Sequence, residues 1–159
     1  MGNSSKKKLS VTVLKKFRII YGSARQHFRE IEQTCGVTGS QLWIMQEIAN
    51  MPGTGVSKLA EQLAIHQSTC SQLVEKLVAR GLIIKERSKE DQRRVGLRLS
   101  DEATILVSRA PGPSEGILPE ALKALPHDAL LQLETSLEKV IEQLQIKDAK
   151  LANRPLSDM

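Results

Sequence analysis

Apolar residues in the first part of the chain recur in steps of three and four. Leu14, Phe17, Ile20, Tyr21, Ala24, Phe28 and Ile31 fall on one face of a helix over residues 9–33, and Gly36 follows as a stop signal. Such a helix is about 40 Å long at ~1.5 Å per residue. That is more than a small domain covers, so the pattern predicts a packing partner. A second helix is expected from about residue 38 to 50, with Leu42, Met45, Ile48 and Ala49 inward, before Met51-Pro52-Gly53-Thr54-Gly55 breaks the chain. A short third helix comes next over 57–63, with Ser57 as its N-cap. After the link Ala64-Ile65-His66-Gln67, a fourth runs over 68–79 and is closed by Gly81.

The period then changes. Residues 82–87 and 95–99 are β-prone runs joined by a polar link, which is a hairpin whose long loop projects as a wing. Ser100-Asp101-Glu102 caps a helix to residue 110, and Pro111, Gly112, Pro113, Gly116 and Pro119 interrupt the chain beyond it. A short helix fits 120–125. Pro126, suited to a first turn, opens a last helix to residue 149. Its stripe of Leu130, Leu133, Leu137, Val140, Ile141 and Leu144 is the narrow seam of a helix that packs on another helix. The expected fold is mainly α with a small β-hairpin: a winged helix-turn-helix domain at 37–100, an N-terminal dimerisation helix at 9–36 and C-terminal dimerisation helices at 101–149. Residues 1–8 are read as a disordered basic tail and 150–159 as a second tail.

Charge sharpens this picture. The net charge is +5, but it is unevenly placed. Residues 1–33 carry eight Lys/Arg against two acids, 80–98 carry seven against three, and 114–148 carry three against seven acids. A merely solubilising surface is more even. Cys35 and Cys70 lack the spacing of a disulfide framework or zinc site and suit a reducing cytosol. Cys70 reads as a small core residue. A sensing role for Cys35 is the lesser alternative to an inert thiol, and His27, His66 and His127 read as surface histidines. No apolar run reaches the ~18 residues of a membrane helix. The basic N-terminus has no apolar segment of a secretory signal, so a cytoplasmic location is expected. Met1-Gly2-Asn3-Ser4-Ser5-Lys6 begins like a myristoylation site but has Lys6 where Ser or Thr is needed. Aromatic content of 3% leaves little for a single-strand stacking platform. With no Gly-rich phosphate loop, metal-ligand cluster or catalytic triad, neither an enzyme nor a cofactor is expected.

The chemistry concentrates in residues 56–99. The second helix of a helix-turn-helix presents its N-terminal residues to base edges in the major groove. Here these are Gln67, Ser68, Thr69, Ser71 and Gln72, with Lys76 one turn on. Amides and hydroxyls both donate and accept, which suits bases and phosphates alike. The same polar front also occurs on ordinary soluble helices. The hairpin changes the balance, because Arg87, Lys89, Arg93 and Arg94 lie on or beside it, where they meet phosphates or a narrow minor groove. Asp91, two residues before Arg93, is placed to pair with an Arg and shape the wing. The reading is a regulator of double-stranded DNA. The alternative is a winged-helix module used for protein contacts.

Several blocks resemble the MarR family of bacterial winged-helix regulators. Val37-Thr38-Gly39-Ser40-Gln41 is similar to its Leu-Thr-x-x-Gln start of helix two, and residues 56–63 to the first helix of its helix-turn-helix. Residues 68–77 are similar to its recognition helix, and Arg80-Gly81-Leu82-Ile83 to its Lys-Gly-Leu-Val. Asp91-Gln92-Arg93-Arg94 is similar to its wing motif Asp-x-Arg, and Leu97-Arg98-Leu99-Ser100 to Leu-x-Leu-Thr. The resemblance covers about residues 10–105. It implies a homodimeric repressor on a pseudo-palindromic operator, released by a small aromatic or apolar effector between the DNA-reading domain and the dimer helices. Gln92 departs from a frequent Arg and Ala103 from a usual Gly. Ala110-Pro111-Gly112-Pro113 falls where the family runs a long helix toward the dimer base.

Overall fold

The computed structural model describes residues 2–113 and 116–159. In chain order the elements are α1 (Gly2–Cys35), α2 (Gly39–Asn50), α3 (Val56–Leu63), α4 (Gln67–Ala79), β1 (Ile83–Arg87), β2 (Val95–Leu99), α5 (Asp101–Arg109), α6 (Ile117–Lys123) and α7 (His127–Glu142). Two 3-10 turns complete the chain, Ala149–Asn153 and Leu156–Asp158. Helix α2 is the centre. Its N-cap Thr38 accepts from the Gln41 N–H while the Gln41 side chain accepts from the Thr38 N–H, a reciprocal capping box. Leu42, Ile44, Met45 and Ile48 of α2 are fully buried. Against them pack Ile31 of α1, Leu59 and Leu63 of α3, Cys70, Val74 and Leu77 of α4, and Leu82, Ile83, Leu97 and Ala103.

The hairpin pairs antiparallel with Ile83 opposite Leu99 and Arg87 opposite Val95. Its inner edge gains a bridge from the loop after α2. The Leu97 N–H donates to the Thr54 carbonyl at 2.9 Å, and the Gly53 N–H donates to the Leu97 carbonyl at 2.8 Å. This brings two backbones together at Gly96, where an added Cβ would lie 2.8 Å from the Gly53 carbonyl oxygen. Glycine is therefore required by close approach.

Several expectations are corrected. The basic residues 2–8, read as a disordered tail, are the first turns of α1. Lys is a good helix former, and the Ser10 and Thr12 hydroxyls bond back to the Lys7 and Lys8 carbonyls. The tail at 150–159 is folded as 3-10 turns and packed on α2, with Pro155 buried. The N-cap of α3 is Gly55, not Ser57, and Pro126 is the N-cap of α7 rather than a first-turn residue. Helix α7 ends at Glu142, not at 149. The short helix before it is Ile117–Lys123, earlier than 120–125. Ala49 is exposed, and Ile44 fills the core instead. Helix α5 stops at Arg109, just before the proline pair.

Candidate nucleic-acid interface

The turn between α3 and α4 is set by Ala64, which closes α3 in the left-handed region at φ +53°. His66 is the extended N-cap of α4, and its Nδ1 lies 3.0 Å from the Ser68 hydroxyl. Burial of Cys70, Leu73, Val74 and Leu77 fixes the rotation of α4 about its axis. Gln67, Ser68, Gln72 and Lys76 are thereby turned to solvent, and Thr69 and Ser71 are half-buried on the flanks. This assembles an uncharged polar front of hydroxyls and amides, with one ammonium a turn behind.

The wing places Arg87, Lys89, Arg93 and Arg94 in the open. Its tip is organised by two short side chains. The Ser88 hydroxyl accepts from the N–H groups of Glu90 and Asp91 at 3.3 and 3.4 Å. The Asp91 carboxylate accepts from the Arg93 N–H at 3.0 Å, and the Ser88 N–H donates to the Arg94 carbonyl at 2.9 Å. Asp91 thus shapes the loop through the backbone of Arg93. The cation nearest its carboxylate is Arg94, at 3.9 Å, rather than the Arg93 guanidinium. Two other hairpin cations are engaged, Lys85 with Glu75 of α4 and Arg98 with Glu86 at 2.6 Å. Among the described residues, Arg87, Lys89 and Arg93 have no carboxylate partner within 4.0 Å.

A groove of about 1360 Å³ runs between the wing and the loop after α2, and Lys58, Arg87, Lys89, Arg93, Arg94 and Arg98 line it. Lys58 was missed by the sequence reading. It sits in the first turn of α3, on the face opposite buried Leu59, Ala60 and Leu63. The periodicity of that short helix carries the signal, but only the Thr54–Leu97 bridge shows that the turn adjoins the wing. With six cations and one acid, Glu86, on its lining, the groove is a positive surface of the kind that attracts phosphates.

The sulfur and imidazole groups take other roles. Cys70 is buried and its thiol is pushed up from 9.0 to about 11 by burial. Burial also raises Cys35. Neither environment favours a reactive thiolate. His66 and His127 are exposed, but His27, expected at the surface, is buried beside Phe28 with its Nε2 unpaired. Among the described residues no cluster of His, Cys, Asp or Glu is placed to hold a metal, and no helix is long and apolar enough to cross a membrane.

Residues 36–94, from the end of α1 to the wing, match the model of the MarR family. This stretch is thus similar to the MarR family of regulators over its helix-turn-helix and wing. The chain is 34% identical over 85 residues to a protein named for transcriptional regulation of the hcr operon in Thauera aromatica. That match covers 54% of the chain and spans about half (51%) of the relative's length. It is 24% identical over 136 residues to the organic hydroperoxide resistance transcriptional regulator of Bacillus subtilis, covering 82% of this chain and 89% of that one. Among solved structures, a mutant MarR from E. coli complexed with operator DNA superposes with a TM-score of 0.53 at 18% identity, covering 82% and 96% of the two chains. The last similarity establishes a shared winged-helix fold.

Proposed function

We propose that this protein is a sequence-specific double-stranded DNA-binding transcriptional regulator of the MarR type. It acts as a homodimeric repressor on a pseudo-palindromic operator. The observation that carries the reading is the pairing of an exposed, uncharged polar front on α4 with a basic groove on the wing. The front supplies donors and acceptors for base edges, and the groove supplies cations for phosphates. Gln67, Ser68, Thr69, Ser71, Gln72 and Lys76 take the reading helix, and Arg87, Lys89, Arg93 and Arg94 the backbone or minor groove, with Asp91 holding the wing. Lys58 joins the phosphate contacts. The relatives' names as regulators support this reading, as does the fold shared with an operator-bound MarR.

Selection of bound duplexes from a random pool tests it. A two-fold symmetric consensus is the expected result, with affinity that falls as salt rises. Recovery of no consensus, or binding indifferent to salt, refutes it. A small apolar or aromatic effector belongs to the same proposal, since a MepR-like protein of this fold is described with pseudoligands. To release DNA, such a molecule must bind the released state more tightly than the DNA-bound one. A panel of phenolic compounds should then contain one that raises thermal stability and lowers duplex affinity together.

A further inference from the structure

The last described residues tie together the ends of two helices that the core alone leaves open. The first backbone N–H groups of any helix lack an internal partner. In α2, Thr38 serves the Gln41 N–H, and the N–H of Ser40 donates instead to the Ser157 hydroxyl at 3.0 Å. The Ser40 side chain, only 2% exposed, donates to the Asp158 carboxylate at 2.8 Å. That places an anion at the N-terminus of α2, where the helix dipole favours it. Four residues before Ser157, the Asn153 carbonyl accepts from the N–H of His66 at 3.0 Å. His66 is the N-cap of α4 and directly precedes Gln67. Buried Pro155 pins the chain between these anchors, and the Arg154 guanidinium donates to the Asp158 carbonyl at 3.3 Å. The seat is tight. A Cβ on Gly39 would come within 2.8 Å of the Phe28 ring and 3.2 Å of the Ser157 Cβ.

We propose that residues 149–159 form a strap that fixes the N-terminal end of α4 relative to α2, with Ser157 and Asp158 as positioning residues for the base-reading turn. The role in DNA reading rests on the function proposed above. Two observations make the strap a positioning device rather than an inhibitor. Gln67, Ser68 and Gln72 stay exposed with the strap seated, so it does not cover the reading face. Nor does it imitate a polyanion, since Lys150 and Arg154 outnumber Asp158. Its two attachment points are one on each helix. Losing the Ser40 attachment should therefore loosen the His66 attachment.

The test uses the full chain and the Ser157→Ala/Asp158→Ala double variant. Amide hydrogen exchange at His66 should accelerate about tenfold, a size expected from losing one or two part-buried hydrogen bonds. Operator affinity should fall about tenfold while affinity for scrambled duplex stays within about twofold, because the wing and its phosphate contacts are untouched. A variant that merely unfolds the domain would lose both affinities together. Asp158→Asn, which keeps an oxygen acceptor for Ser40, should restore the operator-to-scrambled ratio. Unchanged exchange at His66 in the double variant overturns the strap, whether or not the protein binds DNA. Accelerated exchange with equal losses on both duplexes, or with tighter operator binding, overturns its positioning role. If the parent protein selects no duplex, the DNA-reading role falls with the proposed function, and exchange at His66 still decides the strap.

Discussion

Gln72 and Arg93 both point to solvent, yet they sit on surfaces of different chemistry. An amide on the front of α4 can both donate to and accept from one base edge, so its loss should be felt only where that base is present. Replacing Gln72 by Ala should cost ~1–3 kcal/mol on the selected operator and little on scrambled duplex. Arg93 and Arg94 should behave oppositely. Replacing either by Ala should weaken both duplexes and reduce the salt slope by about one unit per phosphate contact. Titrations of each variant across a salt series separate the two patterns, and equal loss of both activities in the Gln72 variant contradicts the assignment. Asp91→Ala should mimic loss of an Arg although it removes no positive charge, because its carboxylate holds the Arg93 N–H. These residue types were legible from the sequence, since a helix with four buried apolar positions has only one face left for its polar ones. Lys58 was not, because its nearness to the wing comes from a non-local backbone bridge. Cys70 gives a separate prediction. Its folded thiol titrates at about 11 against 9.0 when free. The folded state therefore holds the proton longer, and this stabilising contribution is full below pH 9 and is lost as pH rises toward 11. Melting curves of parent and Cys70→Ala should draw together over that interval. Alkylation near pH 8 should leave Cys70 unmodified until the chain unfolds.

At the scale of elements, the hairpin depends on how closely it lies against the loop after α2. Gly96→Ala should force the Gly53 backbone away and break the Thr54–Leu97 bridge, since backbone cannot yield as a flexible side chain does. A loss of ~1–3 kcal/mol in denaturant unfolding is expected, together with weakened binding to any duplex as the wing loses its seat. Unchanged stability and binding would show that the wing stands without this bridge. The same elements show which signals the sequence carries. Helices α2 to α5 were legible because their apolar faces pack within the chain, so period and burial agree. The start of α1 was not, because residues 2–8 have no apolar residue to reveal a period. The end of α7 was misplaced because its stripe continues to Leu144, while the chain tightens at Gln143 and Leu144 into bonds reaching three residues back. Asp148 then caps the next turn through the Lys150 N–H, a local bond that competes with helix continuation. The docked final segment had no signal in its own composition. Its partners, Ser40 and His66, lie about a hundred residues away in the chain.

Across the whole molecule, the unexplained surface is apolar. Leu14, Phe17, Ile20 and Tyr21 of α1 are 39–61% exposed, although they continue the stripe that buries Ala24 and Ile31. On α7, Leu130, Val140 and Ile141 are 38–52% exposed in the same way. A single chain has nothing to cover either stripe, and contiguous apolar surface of this kind marks an interface. Two copies related by a two-fold axis would bury both stripes with the same residues on each side. Light scattering at micromolar concentration should therefore give about 35 kDa, twice the 17.6 kDa of one chain. The symmetry has a consequence for the operator. Each copy carries one α4, so two reading helices should meet successive faces of the major groove with half-site centres ~10 bp apart. Replacing Phe17 and Ile20 together by Asp puts buried charge into the interface and leaves the core untouched, since neither residue belongs to it. That variant should run as a monomer, with the melting of the winged domain preserved. It should protect at most one half-site in footprinting, and its affinity for the full operator should fall to that for an isolated half-site, because the second contact is no longer intramolecular. A parent protein that is monomeric at micromolar concentration, or a double variant that still protects both half-sites, would rule out this assembly.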